Sequence, residues 1–261
     1  MSMPGRLTIV GLGPGSRETM TGQAQQAIAG CDVVIGYGGY FVGLEDLVAG
    51  KEIIALPLTQ ETRRAELAVE QAAAGKRVCV ISSGDAGVYG MASLVLEVAA
   101  LLPADQRPDL VVVPGISAVN ASASLLGAPL SHDFAVISLS DLLTPWPKIE
   151  RRLAAAAEAD FVIALYNPKS QRRAWQYPRA QEIIAQHRSG DTPVGIVRSA
   201  YRPDQDVQLT DVAHMAQARV DMLSTVIVGN SQTRRFDRLL VTPRGYLDSA
   251  TDVDGNRDTD A

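Results

Sequence analysis

Three short stretches concentrate the residues whose types and spacing suit ligand chemistry. They are Gly11-Leu-Gly13-Pro14-Gly15-Ser16, Ser83-Gly84-Asp85-Ala86-Gly87-Val88-Tyr89-Gly90 and Pro114-Gly115-Ile116-Ser117-Ala118. Each follows a short run of β-forming apolar residues and precedes a helical pattern. In an open α/β sheet, ligands bind at such loops, outside the carboxyl ends of the strands. The first loop lacks the third glycine of a dinucleotide fingerprint, because Ser16 stands there. The second strand runs into Gly36 and Tyr37 where a ribose-binding acid is expected. A P-loop is excluded as well, since the Gly-Lys pairs at 50–51 and 75–76 are followed by Glu52 and Arg77. The second loop places one carboxylate and one phenol among three glycines. A carboxylate there accepts from a hydroxyl or amine and repels a diphosphate. Together the loops suit an adenosine-like ligand that carries no phosphate and tolerates positive charge, a description that S-adenosylmethionine fits.

The other candidates for chemistry are scattered. His132, His187 and His214 lie far apart, and no Cys/His cluster has metal-ligand spacing, so no metal is expected. Cys31 and Cys79 sit 48 positions apart in apolar segments and read as reduced thiols, with Cys79 in the core. Tyr37 and Tyr40, set between glycines, read equally as a flap over a ligand or as a hairpin. Asn167-Pro168 is a turn signal whatever the ligand.

The elements that must position these groups alternate strand and helix. Strands are expected at Arg6–Val10, Val33–Ile35, Glu52–Ala55, Arg77–Ser82 and Leu110–Val113. Helices are expected at Arg17–Ala29 behind an N-cap at Ser16, at Glu61–Ala74 stopped by Gly75, at Met91–Leu102, and up to Leu126. This rhythm implies parallel βαβ units. Beyond a boundary near 127–133 the texture changes. Strands are expected at Phe134–Leu139, Phe161–Tyr166, Pro193–Val197, Val207–Thr210 and Thr225–Val228. Helices are expected at Lys148–Ala159, Pro178–His187 and Asp211–Ala218. Leu142-Leu-Thr-Pro-Trp-Pro147 reads as non-helical. Neighbouring strands without a crossover helix bring in antiparallel pairing. The fold class is therefore α/β in two lobes: 1–130 with a parallel-rich sheet, 131–247 with a mixed sheet, and 248–261 as a disordered acidic tail.

That tail holds five Asp and one Arg, so most of the net charge of −5 belongs to it. The rest shows no basic stripe for nucleic acid, no apolar run of membrane-spanning length, and no signal-peptide pattern. Hydrophobic residues at 46% and charged residues at 20% over 261 residues are a globular balance, and a cytoplasmic location is expected.

Gly-Leu-Gly-Pro-Gly, Gly-Asp-x-x-x-Tyr-Gly and Pro-Gly-Ile-Ser-Ala, in this order, resemble the tetrapyrrole methylases, the bilobal S-adenosylmethionine-dependent enzymes of sirohaem and cobalamin synthesis. The resemblance spans about residues 6–242. Within the family, residues 82–92, His132–Trp146 and Tyr166-Asn-Pro-Lys-Ser170 are similar to the ring-contracting branch of the corrin pathway. Ser16 departs from the many relatives that carry Asp there. The resemblance implies a cofactor in the cleft between two lobes. It would be held by Pro14, by Gly84, Asp85, Ala86 and Val88, by Ser117 and Ala118, and by Leu165 and Tyr166 with Arg198, Ser199 and Ala200. It implies C-methylation of a precorrin with ring contraction; a sister methylase of another precorrin or of uroporphyrinogen, or a non-catalytic corrinoid carrier, are the alternatives. Ring contraction calls for acid–base groups, and Asp85, Tyr89, His132 and Asp141 are nominated. A substrate bearing many carboxylates calls for arginines, and Arg172, Arg173, Arg202, Arg234 and Arg235 are the candidates. The plainer readings stand beside these: His132 and Asp141 as loop or turn caps, Tyr89 as a packed ring, and Arg234-Arg235 as a solvated face. A homodimer is implied by the resemblance alone.

Overall fold

The computed structural model describes residues 5–246, so the acidic tail expected at 248–261 lies outside the described residues. The chain forms two compact units. One takes the chain as far as Ala121 together with Ser199–Gln205; the other takes Ser122–Arg198 and the chain from Asp206 onward.

The first unit is built on five strands, β1 (Arg6–Gly11), β2 (Val33–Tyr37), β3 (Glu52–Leu56), β4 (Arg77–Ser82) and β5 (Asp109–Val113). Their spatial order is β3-β2-β4-β1-β5, and every pairing is parallel. Such a sheet is covered on both faces, which is why its inner strands read as unbroken apolar runs. Alternate residues divide between the two covers. Leu7, Ile9, Val33, Ile35, Val78 and Val80 meet α2 (Glu61–Ala73) and α3 (Ala92–Ala100). Val10, Val34, Cys79 and Ile81 meet Ala24 and Ile28 of α1 (Gly22–Ala29). Each fully buried Ile or Val contributes roughly 1.5–3 kcal/mol. The chain passes from β1 to β2 over a place that β4 later fills. The carboxyl ends of β4, β1 and β5 therefore stand side by side, bringing the three glycine loops together.

In the second unit, β7 (Phe134–Ser138), β8 (Val162–Tyr166), β9 (Pro193–Arg198), β10 (Asp206–Asp211) and β11 (Ser224–Val228) stand in the order β10-β9-β11-β8-β7. Only β7 and β8 run parallel, which makes the sheet mixed, as expected. Helices α5 (Trp146–Glu158) and α6 (Gln176–Ile184) cover it through Ile149, Leu153, Tyr177 and Ile184. The two units join within α4 (Ala118–Leu126). A small three-stranded sheet, β12 (Arg234–Phe236), β13 (Leu239–Val241) and β6 (Gly127–Ala128), has no counterpart in the sequence reading.

Three local expectations need correction. The helix expected from Arg17 begins at Gly22, and its cap is Thr21, whose hydroxyl accepts from Ala24 N at 3.1 Å. Ser16 instead opens a 3-10 turn over Arg17–Thr19, and Met20 leaves that turn extended and buried. Helix α5 includes Trp146 and Pro147, because a first-turn proline gives up no intrahelical hydrogen bond. Only Met215–Gln217 of the helix expected at 211–218 is helical, and that as a 3-10 turn. Asp211 closes β10, and its carboxylate takes the His214 amide at 3.0 Å, which folds a turn there.

At the amino ends of the first sheet, Asp32 Oδ2 accepts from Arg77 N at 3.0 Å and from Arg77 Nε at 3.2 Å. The guanidinium holds this carboxyl down at about 2. A depressed native value stabilises the fold above the unfolded value, and that contribution is lost as pH falls through the native one. The pair is open to water, so its contribution is small. Urea midpoints measured between pH 4 and pH 2 should therefore fall less steeply in Asp32→Asn than in the parent protein.

Candidate active site

The glycine loops of the first unit are sewn together through their backbones. Gly13 and Gly84 exchange two hydrogen bonds, Gly13 N to Gly84 O at 3.0 Å and Gly84 N to Gly13 O at 2.8 Å. Both residues have positive φ, +79° and +67°, the conformation glycine adopts at no steric cost. The third loop closes in behind them. A Cβ on Gly115 would lie 2.2 Å from Gly84 O and 2.7 Å from Gly11 C.

Asp85 locks this arrangement. Its Oδ1 accepts from Gly87 N at 2.8 Å, and its Oδ2 accepts from Gly115 N at 3.0 Å. Nominated both for chemistry and for cofactor binding, it serves here as a carboxylate staple between the second and third loops. Ala86 is fully buried, and its carbonyl accepts from Ala92 N at 2.9 Å. Val88 and Tyr89 form the exposed tip, Tyr89 with a left-handed φ of +52°. Ser117 sits at the amino end of α4, with its hydroxyl 3.5 Å from Asn120 N and Ala118 as the first helical residue.

Beside the first two loops lies a cavity of about 420 Å³. Its apolar lining includes Leu12, Met20, Tyr40, Val42 and Leu44, and Ser16, Arg17, Ser83 and Arg202 supply polar groups. Tyr37 precedes and Tyr40 ends a 3-10 turn in place of a hairpin, with their rings edge to face at 5.3 Å and Tyr40 on the cavity wall. Burial pushes the Tyr40 phenol up from its ordinary value, opposed by the nearby Arg64 and Arg202 charges. Arg17, paired with Asp46, was read in the sequence only as the start of a helix, since Asp46 lies 29 residues away. Buried Pro14 faces Arg202 through its carbonyl, which accepts from Arg202 Nε at 2.9 Å. Ser199 is buried in the same unit as these loops, as part of Ser199–Gln205 together with Ala200. Nine of the twelve residues expected to hold the cofactor thus fall in one unit.

The other nominated residues lie in the second unit. Leu165 is fully buried, and the Tyr166 carbonyl accepts from Leu139 N at 2.9 Å. Arg198 Nε donates to Asp221 Oδ2 at 2.7 Å. Asp141 Oδ2 accepts from Gln176 Nε2 at 3.0 Å. His132 is half-exposed, and its Nδ1 accepts from Asp133 N at 2.8 Å, a cap-like contact. Arg173 turns inward, donating to the carbonyls of Leu139 at 2.9 Å and Asn167 at 2.6 Å, so its fork braces the turn after β8. Arg172, Arg234 and Arg235 are exposed, and Arg235 Nε donates to Asp237 O at 2.8 Å. Among the described residues, no group of three or more His, Cys, Asp or Glu is placed to hold a metal ion, and no helix is long and apolar enough to cross a membrane.

A model of the Tetrapyrrole (Corrin/Porphyrin) Methylases matches residues 6–216 of this chain. The chain is a tetrapyrrole methylase. Cobalt-factor III methyltransferase of Priestia megaterium is 52% identical to this methylase over 248 residues, covering 94% of this chain. The chain spans only 46% of that relative's length. A probable cobalt-factor III C(17)-methyltransferase of Salmonella typhimurium is 48% identical over 242 residues, covering 92% of this methylase and 99% of that protein. The crystal structure of the methyltransferase CobJ superposes with a TM-score of 0.86 at 36% identity, covering 92% of this methylase and all of that chain.

Proposed function

We propose that this methylase transfers a methyl group from S-adenosylmethionine to C17 of a ring-contracting tetrapyrrole in cobalamin biosynthesis. The observation that carries the reading is the junction of three glycine loops at the carboxyl ends of β4, β1 and β5, in a chain 48% identical over 242 residues to a protein named for that reaction. Cobalt-factor III is the favoured substrate, since both relatives carry it in their names. Precorrin-3B, converted to precorrin-4, is the second reading, since a relative 42% identical over 250 residues carries it in its name.

The loops suit the cofactor. Their close backbone approach leaves the peptide groups to do the recognition, and Asp85 puts a carboxylate where a sulfonium is welcome and a diphosphate is not. Pro14, Gly84, Asp85, Ala86, Val88, Ser117, Ala118, Ser199 and Ala200 would hold it, with Leu165, Tyr166 and Arg198 completing the proposal. When bound, S-adenosylmethionine supplies an electrophilic methyl group. The chain's task is alignment and exclusion of water, which can account for several kcal/mol of the barrier. The apolar lining of the cavity suits part of a macrocycle, with Arg17 on its wall, and the exposed Arg172, Arg234 and Arg235 of the second unit are the proposed partners of its carboxylate arms. For the proton released in ring contraction, the second oxygen of Asp141 is the acceptor offered, while the Tyr89 hydroxyl and the His132 Nε2–H, whose ring accepts through Nδ1, are donors for the acid half of the step. A homodimer in the cytoplasm is part of the same proposal.

The test is incubation with S-adenosylmethionine and, separately, cobalt-factor III, precorrin-3B, precorrin-4 and uroporphyrinogen. Cobalt-factor III should gain one methyl group with one S-adenosylhomocysteine released per turnover. Methylation of precorrin-4 or uroporphyrinogen alone overturns the C17 assignment. Tetrapyrrole binding without S-adenosylhomocysteine makes the protein a carrier.

A further inference from the structure

The seven residues Ser199–Gln205 connect β9 to β10, whose ends are paired at Arg198 and Asp206, so they form a hairpin loop. The loop is stiffened from within. Arg202 N donates to Ser199 O and Gln205 N to Arg202 O, both at 3.0 Å. Ser199 Oγ donates to Asp204 Oδ2 at 3.0 Å, and Tyr201 N to Gln205 Oε1 at 2.8 Å. Ser199 and Tyr201 both hold left-handed φ values, +51° and +59°. Non-glycine residues accept that conformation at a cost when the surroundings impose it, and such strain gathers at functional sites.

What this loop presents is Arg202. Its Nε donates to Pro14 O at 2.9 Å in the loop after β1, and its Nη2 donates to Ser83 Oγ at 3.2 Å in the loop after β4. Gly15 makes room for it. A Cβ on Gly15 would lie 2.4 Å from Arg202 Cγ and 2.5 Å from Nε. One rigid guanidinium thus spans two ligand-facing loops while lining the same cavity. A lysine, with a single charged tip, cannot hold both oxygens in a fixed fork.

We infer that Arg202 is a positioning residue: it sets the spacing of the Pro14 and Ser83 loops, and through them the cofactor seat, and does not serve chiefly as a partner for a substrate carboxylate. The inference rests on the methyltransferase reading above and gives this arginine a task within it.

The test compares Arg202→Met, Arg202→Lys and Ser83→Ala with the parent protein in three readouts. The first is S-adenosylhomocysteine affinity by titration calorimetry. The second is kcat and KM for the tetrapyrrole substrate. The third is hydrogen exchange of the 11–16 and 82–90 amides without ligand. Arg202→Met should weaken S-adenosylhomocysteine binding about tenfold and lower kcat, leave the tetrapyrrole KM within about twofold, and speed exchange in both loops. Arg202→Lys should not restore affinity. Ser83→Ala should move affinity in the same direction by less, and adding it to Arg202→Met should bring little more, since the two share one contact. A tetrapyrrole KM raised tenfold or more, with S-adenosylhomocysteine affinity and loop exchange unchanged and Arg202→Lys rescuing, makes Arg202 a carboxylate ligand and overturns the inference. If the parent protein binds no S-adenosylhomocysteine, the methyltransferase reading fails. Loop exchange then still decides on the pinning: unaltered exchange in Arg202→Met refutes it.

Discussion

Gly115→Ala should leave a protein that binds S-adenosylhomocysteine at least tenfold more weakly and unfolds about 6–12 °C lower, from a loss of about 3 kcal/mol. The added methyl has nowhere to go. It would lie 2.2 Å from Gly84 O, 2.7 Å from Gly11 C and 2.8 Å from Gly11 O. All three are backbone atoms, so no side-chain rotation relieves the clash and the loops themselves must part. The same movement breaks the hydrogen bond from Gly115 N to Asp85 and disturbs the exchanged pair at Gly13 and Gly84. Differential scanning calorimetry and ligand titration on the same sample check both halves. A variant that keeps its melting temperature and its affinity would show that the loops do not bind as one body.

Asp85→Ala should cost about 10- to 100-fold in S-adenosylhomocysteine affinity, and turnover should fall with it. Removing the carboxylate strips the Gly87 and Gly115 amides of their acceptor. The Gly115 amide is partly buried, so leaving it unmade is more damaging than the mean value of a hydrogen bond suggests, whereas the exposed Gly87 amide can turn to water. Asp85→Asn keeps one oxygen, so it should fall between the parent and the alanine variant in affinity. A general acid or base behaves differently, because its amide variant loses kcat while cofactor affinity holds. Calorimetry beside single-turnover kinetics separates the two, and intact affinity with abolished methyl transfer in Asp85→Asn would return this residue to catalysis.

The glycine loops were legible because their need for close approach selects a residue type, and that selection shows at single positions. The strands of the first unit were legible for a related reason: burial on both faces of a parallel sheet leaves continuous runs such as Val78–Ile81. The order of the strands was not legible, and it is what joins the loops. Asp85 looked like a reactive carboxylate because its second partner, Gly115, comes 30 residues later, from a strand that only pairing places nearby. Arg202 was expected at a substrate carboxylate, and its bond to Pro14, 188 residues away, had no local signal. Arg173 is a second such case. It was expected at a substrate carboxylate, yet Leu139 and Asn167 draw it into the interior. The small sheet of β12, β13 and β6 escaped notice because its strands are only two or three residues long and β12 is wholly exposed.

The hairpin loop at Ser199–Gln205 also sets an order of events in the making of the protein. The amino-terminal unit counts this loop among its own residues, although they are translated long after Ala121. A ribosome adding roughly 5–20 residues per second needs on the order of ten seconds to bridge that gap. During this interval the nascent chain can pack its first sheet and helices, but Pro14 and Ser83 still await Arg202. The cavity is therefore completed late in synthesis, and a polypeptide released early would carry every glycine motif and still lack the residue that joins two of them.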